Sequence, residues 1–99
     1  MTEIERLGQA IKDLHGVKST HVQSVPVHET FEGKVVWSGT VEVFQVHSHD
    51  KAGSAYAWSY KDDNGQPHYV AILGVPPVNS AYDAVRAYIV SEIQKKKSP

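Results

Sequence analysis

The chain has 99 residues, which is enough for one compact domain with a single modest core. A hydrophobic fraction of 40% and a charged fraction of 21% are ordinary for a globular protein and exclude a disordered chain. The net charge of −1 gives no broad basic field for nucleic acid, and the absence of cysteine excludes disulfides and thiolate metal sites. We expect a single α+β domain spanning residues 1–99.

Two features of the sequence bear on location. No apolar run approaches the ~20 residues that a membrane helix needs, and the opening MTEIERLGQA lacks the basic-then-apolar order of a secretory signal. The sequence therefore predicts a cytoplasmic protein with no membrane partner.

The first segment has the pattern of an amphipathic helix. Thr2 and Glu5 have the spacing of a capping box. Apolar residues then recur at helical spacing at Ile4, Leu7, Ile11 and Leu14. Gly16 stands where a left-handed stop would end the helix.

The middle of the chain predicts four strands. Their expected ranges are Thr20 to Phe31, Val35 to Val46, Ala55 to Lys61 and His68 to Leu73. Pro26 cannot donate a ladder hydrogen bond, so the first strand belongs at a sheet edge. Asn64-Gly65 predicts a tight two-residue hairpin turn between the last two strands, and four successive strands form a meander.

A second helix is expected near the C-terminus. Ser80 and Asp83 offer a second capping box, and apolar residues follow at helical spacing. These residues are Ala81, Val85, Ile89 and Ile93. The order α-β-β-β-β-α predicts a two-layer α+β domain, in which a four-stranded antiparallel meander carries both helices on one face.

The expected even-length loop at Asn64-Gly65 assigns side chains to the two sheet faces. One face would carry Tyr56, Trp58, Tyr60 and Tyr69, with Trp37 of the second strand beside them. The opposite face would carry small residues such as Ala55 and Ala57, against which the helices could pack closely. The aromatic face would then bury its rings against one another, form a homodimer interface, or serve as a platform for a ligand or for nucleobases.

The segment HSHD raises the question of a metal site. In an extended chain His47 and His49 point to the same side, as chelation requires, and His15, His21 and Asp50 are expected at the same end of the domain. Such ligands suit a divalent transition metal such as zinc, nickel or copper. The alternative is a group of exposed loop histidines. We expect HSHD to be a strand end and turn, with no ion held by both His47 and His49.

Catalytic signatures are weak in this chain. It has no nucleophile elbow and no glycine-rich phosphate loop. The sequence therefore favours a non-catalytic, cofactor-free interaction module that self-associates as a homodimer through the aromatic face, with Trp58 as the anchor. Two alternatives stay open: a metal-dependent activity at the histidine-rich end, and binding of single-stranded nucleic acid on the aromatic face. The identity of any small-molecule ligand is left open.

Overall fold

The structure is a computed structural model that describes the backbone of residues 2–97 and the side chains as far as Gln94. Its elements in chain order are α1 (Glu3–His15), β1 (Lys18–Phe31), β2 (Lys34–His47), β3 (Ser54–Lys61), β4 (Pro67–Leu73) and α2 (Ala81–Lys97). The α+β class and the α-β-β-β-β-α order are therefore confirmed.

Helix α1 begins and ends as its sequence predicts. The Thr2 hydroxyl accepts a hydrogen bond from the Glu5 amide, and the Glu5 carboxylate accepts one from the Thr2 amide. Gly16 is left-handed at φ 70°, and its amide donates to the Lys12 carbonyl. Each end of the helix thus has at least one of its otherwise free backbone groups paired locally.

Helix α2 begins at Ala81, one residue after the expected cap. The Ser80 hydroxyl accepts from the Asp83 amide, but the Asp83 carboxylate accepts from the amide of Asn79 rather than that of Ser80. Within the described residues, neither helix has the apolar length needed to cross a membrane.

The sheet is an antiparallel meander in the order β1-β2-β3-β4, with β1 at an edge as Pro26 requires. The β1–β2 hairpin is paired along almost its whole length, and β3 pairs with β4 from Ala55 to Lys61. Between the two hairpins, pairing covers only Glu42 to Gln45 on β2. The sheet is therefore forked, because β2 and β3 separate beyond these four pairs.

The β3–β4 turn differs from the expected two-residue turn. The Asp62 amide donates to the Gln66 carbonyl, and the Gly65 amide donates to the Asp62 carbonyl. This encloses a three-residue loop with Gly65 left-handed at φ 78°. The Asp62 carboxylate also accepts from the amides of Asn64 and Gln66, which stabilises the wider loop. The prediction of a loop with an even number of residues was therefore wrong. The prediction that Tyr69 shares a face with Tyr56 and Trp58, which depended on that loop, was also wrong.

The two helices lie on opposite faces of the sheet, whereas we expected both on one face. Two separate clusters of buried side chains show this arrangement. Under α1 the cluster consists of Leu7, Ile11, Phe44, Val46, Ala55 and Ala57. Under α2 it consists of Val27, Val41, Val43, Tyr56, Trp58, Ala81, Ala84 and Val85. The alternating residues of β3 belong to different clusters, so this central strand is covered on both sides.

Helix α2 is only partly buried along its apolar stripe. Val85 is fully buried and Ile89 packs against the α2-side cluster, as expected, but Ile93 is 48% exposed. The last turns of α2 lie beside the end of the β1–β2 hairpin, where Ile93 lines a groove with Phe31 and Val36. Because only two strands continue there, the sheet is too narrow to cover Ile93.

Candidate binding surfaces: an aromatic cleft and an apolar groove

The single aromatic face expected from the sequence does not exist. Tyr56 and Trp58 are only 6% and 3% exposed, because α2 packs over them. Tyr69 pairs with Ser59 and lies on the opposite face, against the α1-side cluster. Trp58 therefore does not lie on a surface that a second copy could reach, and its expected place as an exposed anchor was wrong.

Three of the five expected aromatic residues instead line a cleft at the fork of the sheet. The aromatic cleft is the space between the diverging parts of β2 and β3, with a volume of about 290 Å³. Its lining includes Trp37, Gly39, Thr40, Trp58, Tyr60 and Tyr88. The fold creates this cleft because the β2–β3 pairing stops at Glu42 and Ala57.

The walls of the aromatic cleft are held by edge-to-face ring contacts. The ring centroids of Trp37 and Trp58 are 5.3 Å apart at 72°, so the two indoles meet across the fork. Trp58 makes a similar contact with Tyr88 of α2, at 5.3 Å and 89°. Gly39 gives the Trp37 ring its space, since a Cβ at that position would lie 3.1 Å from the indole. The rings thus have defined positions before any ligand is present.

Two tyrosine hydroxyls meet beside the aromatic cleft. Burial, together with a hydrogen bond to Tyr60 and the negative charge of Glu92, raises the pKa of Tyr88 to about 12. Tyr60 also stacks on His68, with ring centroids 5.2 Å apart and an interplanar angle of 16°. His68 in turn donates a 2.8 Å hydrogen bond to the Asp62 carboxylate. The Tyr88 phenol is therefore a neutral hydrogen-bonding group near neutral pH.

A second concave surface lies between the hairpin end and α2. This apolar groove has a volume of about 400 Å³. Its apolar lining consists of Phe31, Val36, Ile89, Val90 and Ile93. Phe31 is 66% exposed, and Val36, Val90 and Ile93 are also exposed. Several large apolar side chains in one exposed place are typical of an interaction surface.

The charges around the apolar groove are balanced. Arg86 donates a 3.0 Å hydrogen bond from Nε to the Glu29 carboxylate at the groove wall. Glu32 and Lys34 flank the hairpin turn next to Phe31. These four side chains carry two positive and two negative charges, so their charges cancel one another.

The histidine-rich end contains separate hydrogen bonds rather than one site. His15 Nε2 donates to the Ala71 carbonyl at 2.8 Å. His21 Nε2 donates to the Glu42 carboxylate at 2.8 Å, and the Ser24 hydroxyl donates to the same oxygen. Each of these two rings is therefore engaged on a different part of the sheet.

The HSHD segment is a strand end followed by a turn, as expected. Strand β2 ends at His47, whose Nε2 pairs with the Thr20 hydroxyl at 2.8 Å. His49 Nδ1 accepts hydrogen bonds from the amides of Lys51 and Ala52, and Asp50 is exposed. Across the described residues, no three side chains of the His, Cys, Asp and Glu types are grouped so that they could hold a metal ion.

Comparison of the chain with protein-family models, curated proteins and solved structures finds no match. What the protein does must therefore be inferred from its own residues and their geometry.

The sequence pattern missed three residues of these surfaces. Phe31 lies directly beside the Glu32-Gly33 turn, where a large apolar side chain has few neighbours to cover it. Its exposure could therefore be predicted from its position in the sequence. Val90 lies outside the helical stripe of Val85 and Ile89, and it widens the apolar side of α2. Tyr88 gave no comparable signal, because its role depends on the sheet fork.

Proposed function

We propose that this chain is a non-catalytic interaction module that forms a symmetric homodimer through the apolar groove. The observation that carries the proposal is the side-by-side placement of an exposed Phe31 and a concave surface lined by Val36, Val90 and Ile93. In a two-fold pair, Phe31 of each copy would occupy the groove of the other copy. Such reciprocal contacts are what an isologous interface requires.

Charge also favours a second copy as the occupant. Identical surfaces face each other in a two-fold dimer, so any net charge on the surface would repel itself. Glu29 and Arg86 are already paired within one copy, and Glu32 and Lys34 balance at the hairpin turn. These four charges therefore add no net like-charge repulsion between two such surfaces, while the apolar side chains supply the favourable burial.

The proposed interface replaces the aromatic face as the site of self-association. The buried position of Trp58 leaves the groove as the concave surface richest in exposed large apolar side chains among the residues described. We propose the cytoplasm as the compartment, a choice that the absence of cysteine favours.

Sedimentation equilibrium of matched variants tests the dimer. Phe31→Asp places a charge in the proposed interface, whereas Leu14→Asp makes the same change at a residue of α1 that is similarly exposed, at 61%. We expect the wild type and Leu14→Asp to dimerise and Phe31→Asp to sediment as a monomer. A wild-type protein that stays monomeric at about 1 mM, where a dimer with a Kd of about 1 μM would be almost fully formed, would contradict the proposal, as would a Phe31→Asp variant that still dimerises.

A further inference from the structure

The side of β2 that faces the fork has backbone groups with no strand beside them. The Val46 amide donates to the Gly53 carbonyl, so Val46 directs its backbone groups to the β3 side. Every second residue of a strand directs its N–H and C=O to the same side, and β2 has no bulge between Val46 and Ser38. Ser38 and Thr40 therefore direct their backbone groups toward the fork, where the pairing with β3 has already stopped at Glu42.

The proline of β1 is consistent with this orientation. Pro26 pairs with Thr40 and has no N–H, so Thr40 loses no ladder bond to β1 by facing the fork. Both Ser38 and Thr40 are exposed, so a partner backbone can reach their free groups. Pro26 also protects the outer side of β1, because its own backbone faces outward there and offers no donor.

The outer edge of β4 is also protected. The Gly74 amide donates to the Ser54 carbonyl, so Gly74 faces β3, and Ala71, an odd number of positions away, faces outward. The outward carbonyl of Ala71 accepts a hydrogen bond from the His15 ring. Pro67 also faces outward, at the start of the strand, and has no N–H to donate. Both outer edges of the sheet are thus partly blocked against an added strand.

The fork-facing edge of β2 lacks this protection. This fork edge, residues 35–41, reads VVWSGTV and contains neither a proline nor a charged residue. Exposed strand edges usually carry proline or charge, which prevents pairing with another chain. An uncharged segment of high β-propensity at an exposed edge is instead suited to pair with another strand.

We infer that the fork edge binds an extended peptide segment of a partner protein, which adds a strand to β2. The unpaired N–H and C=O groups of Ser38 and Thr40 pair with the backbone of this segment. The aromatic cleft, with its volume of about 290 Å³, lies beside the edge and receives the side chains that point toward α2. Backbone pairing supplies the affinity, and the side chains supply the specificity.

The two faces of the fork edge define the side chains of the segment. On the α2 side, Trp37 packs against the buried cluster and lines the cleft together with Tyr88. The alternation along the strand places Ser38 and Thr40 on the other side. None of the described residues that line the cleft is charged, so a charged side chain would lose its hydration without gaining an opposite charge. The segment should therefore alternate apolar and uncharged polar residues.

This inference is independent of the proposed dimer. Side chains of the apolar groove carry the dimer, whereas backbone groups of β2 carry the peptide site. The two surfaces share Val36, and neither test replaces that residue. The monomeric Phe31→Asp variant should therefore retain peptide binding, so failure of one proposal can be distinguished from failure of the other.

Titration of the ¹⁵N-labelled protein with a model peptide tests the site. The probe is acetyl-Thr-Val-Thr-Val-Thr-Val-Thr-amide, which is uncharged and alternates apolar and polar side chains. We expect saturable NMR shifts that are largest at the amides of Ser38 and Thr40, because these donate to the peptide. The amides of Trp37 and Gly39 face β1 and should shift less. No saturable shift at about 1 mM peptide, or shifts without this alternation, would overturn the inference.

Two control peptides separate backbone pairing from apolar adsorption. The first has the same side chains but is N-methylated at every central residue, which removes its amide donors. We expect it to bind at least about tenfold more weakly, the factor that one ordinary hydrogen bond supplies. The second replaces valine by lysine and should also bind more weakly, because the cleft offers no opposite charge. Equal affinity of either control peptide and the probe would contradict the inference.

Two proline variants assign the edge. Ser38→Pro removes an N–H that faces the fork without removing a ladder bond to β1, and we expect it to weaken probe binding by at least about tenfold. His28→Pro is the matched control, because His28 pairs with Ser38 and directs its own N–H to the outer side of β1. This control should retain binding. Unchanged affinity in Ser38→Pro, or an equal loss in both variants, would refute the assignment. If Ser38→Pro does not fold, the comparison of the probe with its N-methylated form on the wild type decides.

Discussion

The placement of the helices on opposite faces predicts that the two buried clusters contribute independently to stability. Ile11 belongs to the α1-side cluster and Val85 to the α2-side cluster, and both are fully buried. Ile11→Val removes one methylene and should cost about 1 kcal/mol of unfolding free energy. Val85→Ala removes two methyl groups, worth about 1.6 kcal/mol of transfer free energy, and the cavity raises the cost to about 2.5 kcal/mol.

Independent clusters make these losses additive. The double variant should lose about 3.5 kcal/mol, with a coupling below about 0.5 kcal/mol, since the sheet separates the two sites. That loss is smaller than the total unfolding free energy of roughly 5 to 15 kcal/mol expected for a domain of this size. The wild type, the two single variants and the double variant form a double-mutant cycle. Urea unfolding followed by circular dichroism, at one fixed protein concentration, measures the unfolding free energy of each.

A second double-mutant cycle, on two residues of the same cluster, provides the comparison for this coupling energy. Val41 is fully buried in the same cluster as Val85. Val41→Ala combined with Val85→Ala should therefore show a coupling above about 0.5 kcal/mol, because the two cavities share one core. A large coupling between Ile11 and Val85 would refute the separation of the clusters, and with it the placement of the helices on opposite faces.

Three further predictions concern single sites. Gly74→Ala should destabilise the protein by about 1 to 3 kcal/mol in thermal unfolding, because an added Cβ would lie 3.0 Å from the Ser54 carbonyl oxygen; unchanged stability would show that this backbone contact can relax. Because the folded pKa of Tyr88 is raised from 10.0 to about 12, its stabilising contribution is present below pH 10 and is lost as the pH rises through 12. Absorbance at 295 nm should show a titration near pH 12 that is absent in Tyr88→Phe, and its persistence in that variant would assign the step elsewhere. Zinc titration followed by histidine NMR shifts should show no site shared by His47 and His49; tight binding that perturbs both and is lost in His47→Ala would contradict this.

Local sequence signals predicted local structure well. The capping box of Thr2 and Glu5, the left-handed Gly16 and the start of α2 after Ser80 all lie where the pattern placed them. These features depend on residues a few positions apart, so the sequence alone determines them. The Asn64-Gly65 turn also lies at the expected place, but its length was wrong because the Asp62 carboxylate stabilises a loop with one more residue.

The arrangement of layers was harder to predict, although one signal was present. Strand β3 reads Ala55, Tyr56, Ala57, Trp58, and this run is apolar on both faces. A strand of this kind is typical of a sheet covered on both sides. The small residues on one face predict that both helices pack there, but the large rings on the other face also have to be covered.

The candidate surfaces depend on information that no short segment contains. The aromatic cleft exists because the β2–β3 pairing stops after four residue pairs, and the alternation of side chains along β2 continues unchanged past that point. Tyr60 and Tyr69 lie on opposite faces of the sheet because the β3–β4 loop has an odd number of residues. Residues of the correct type were thus predicted, while their exposure and neighbours required the tertiary structure.

The forked sheet has a consequence for how the molecule opens. From Lys34 to Val41, β2 has hydrogen-bonded neighbours on one side only, whereas from Glu42 to Gln45 it is paired on both sides. The outer half of the β1–β2 hairpin is therefore an arm whose backbone hydrogen bonds can break without breaking those of β3 and β4. Amide hydrogen exchange should divide β2 into a fast outer half and a slow inner half, so that partial opening of the arm is a separate event from global unfolding.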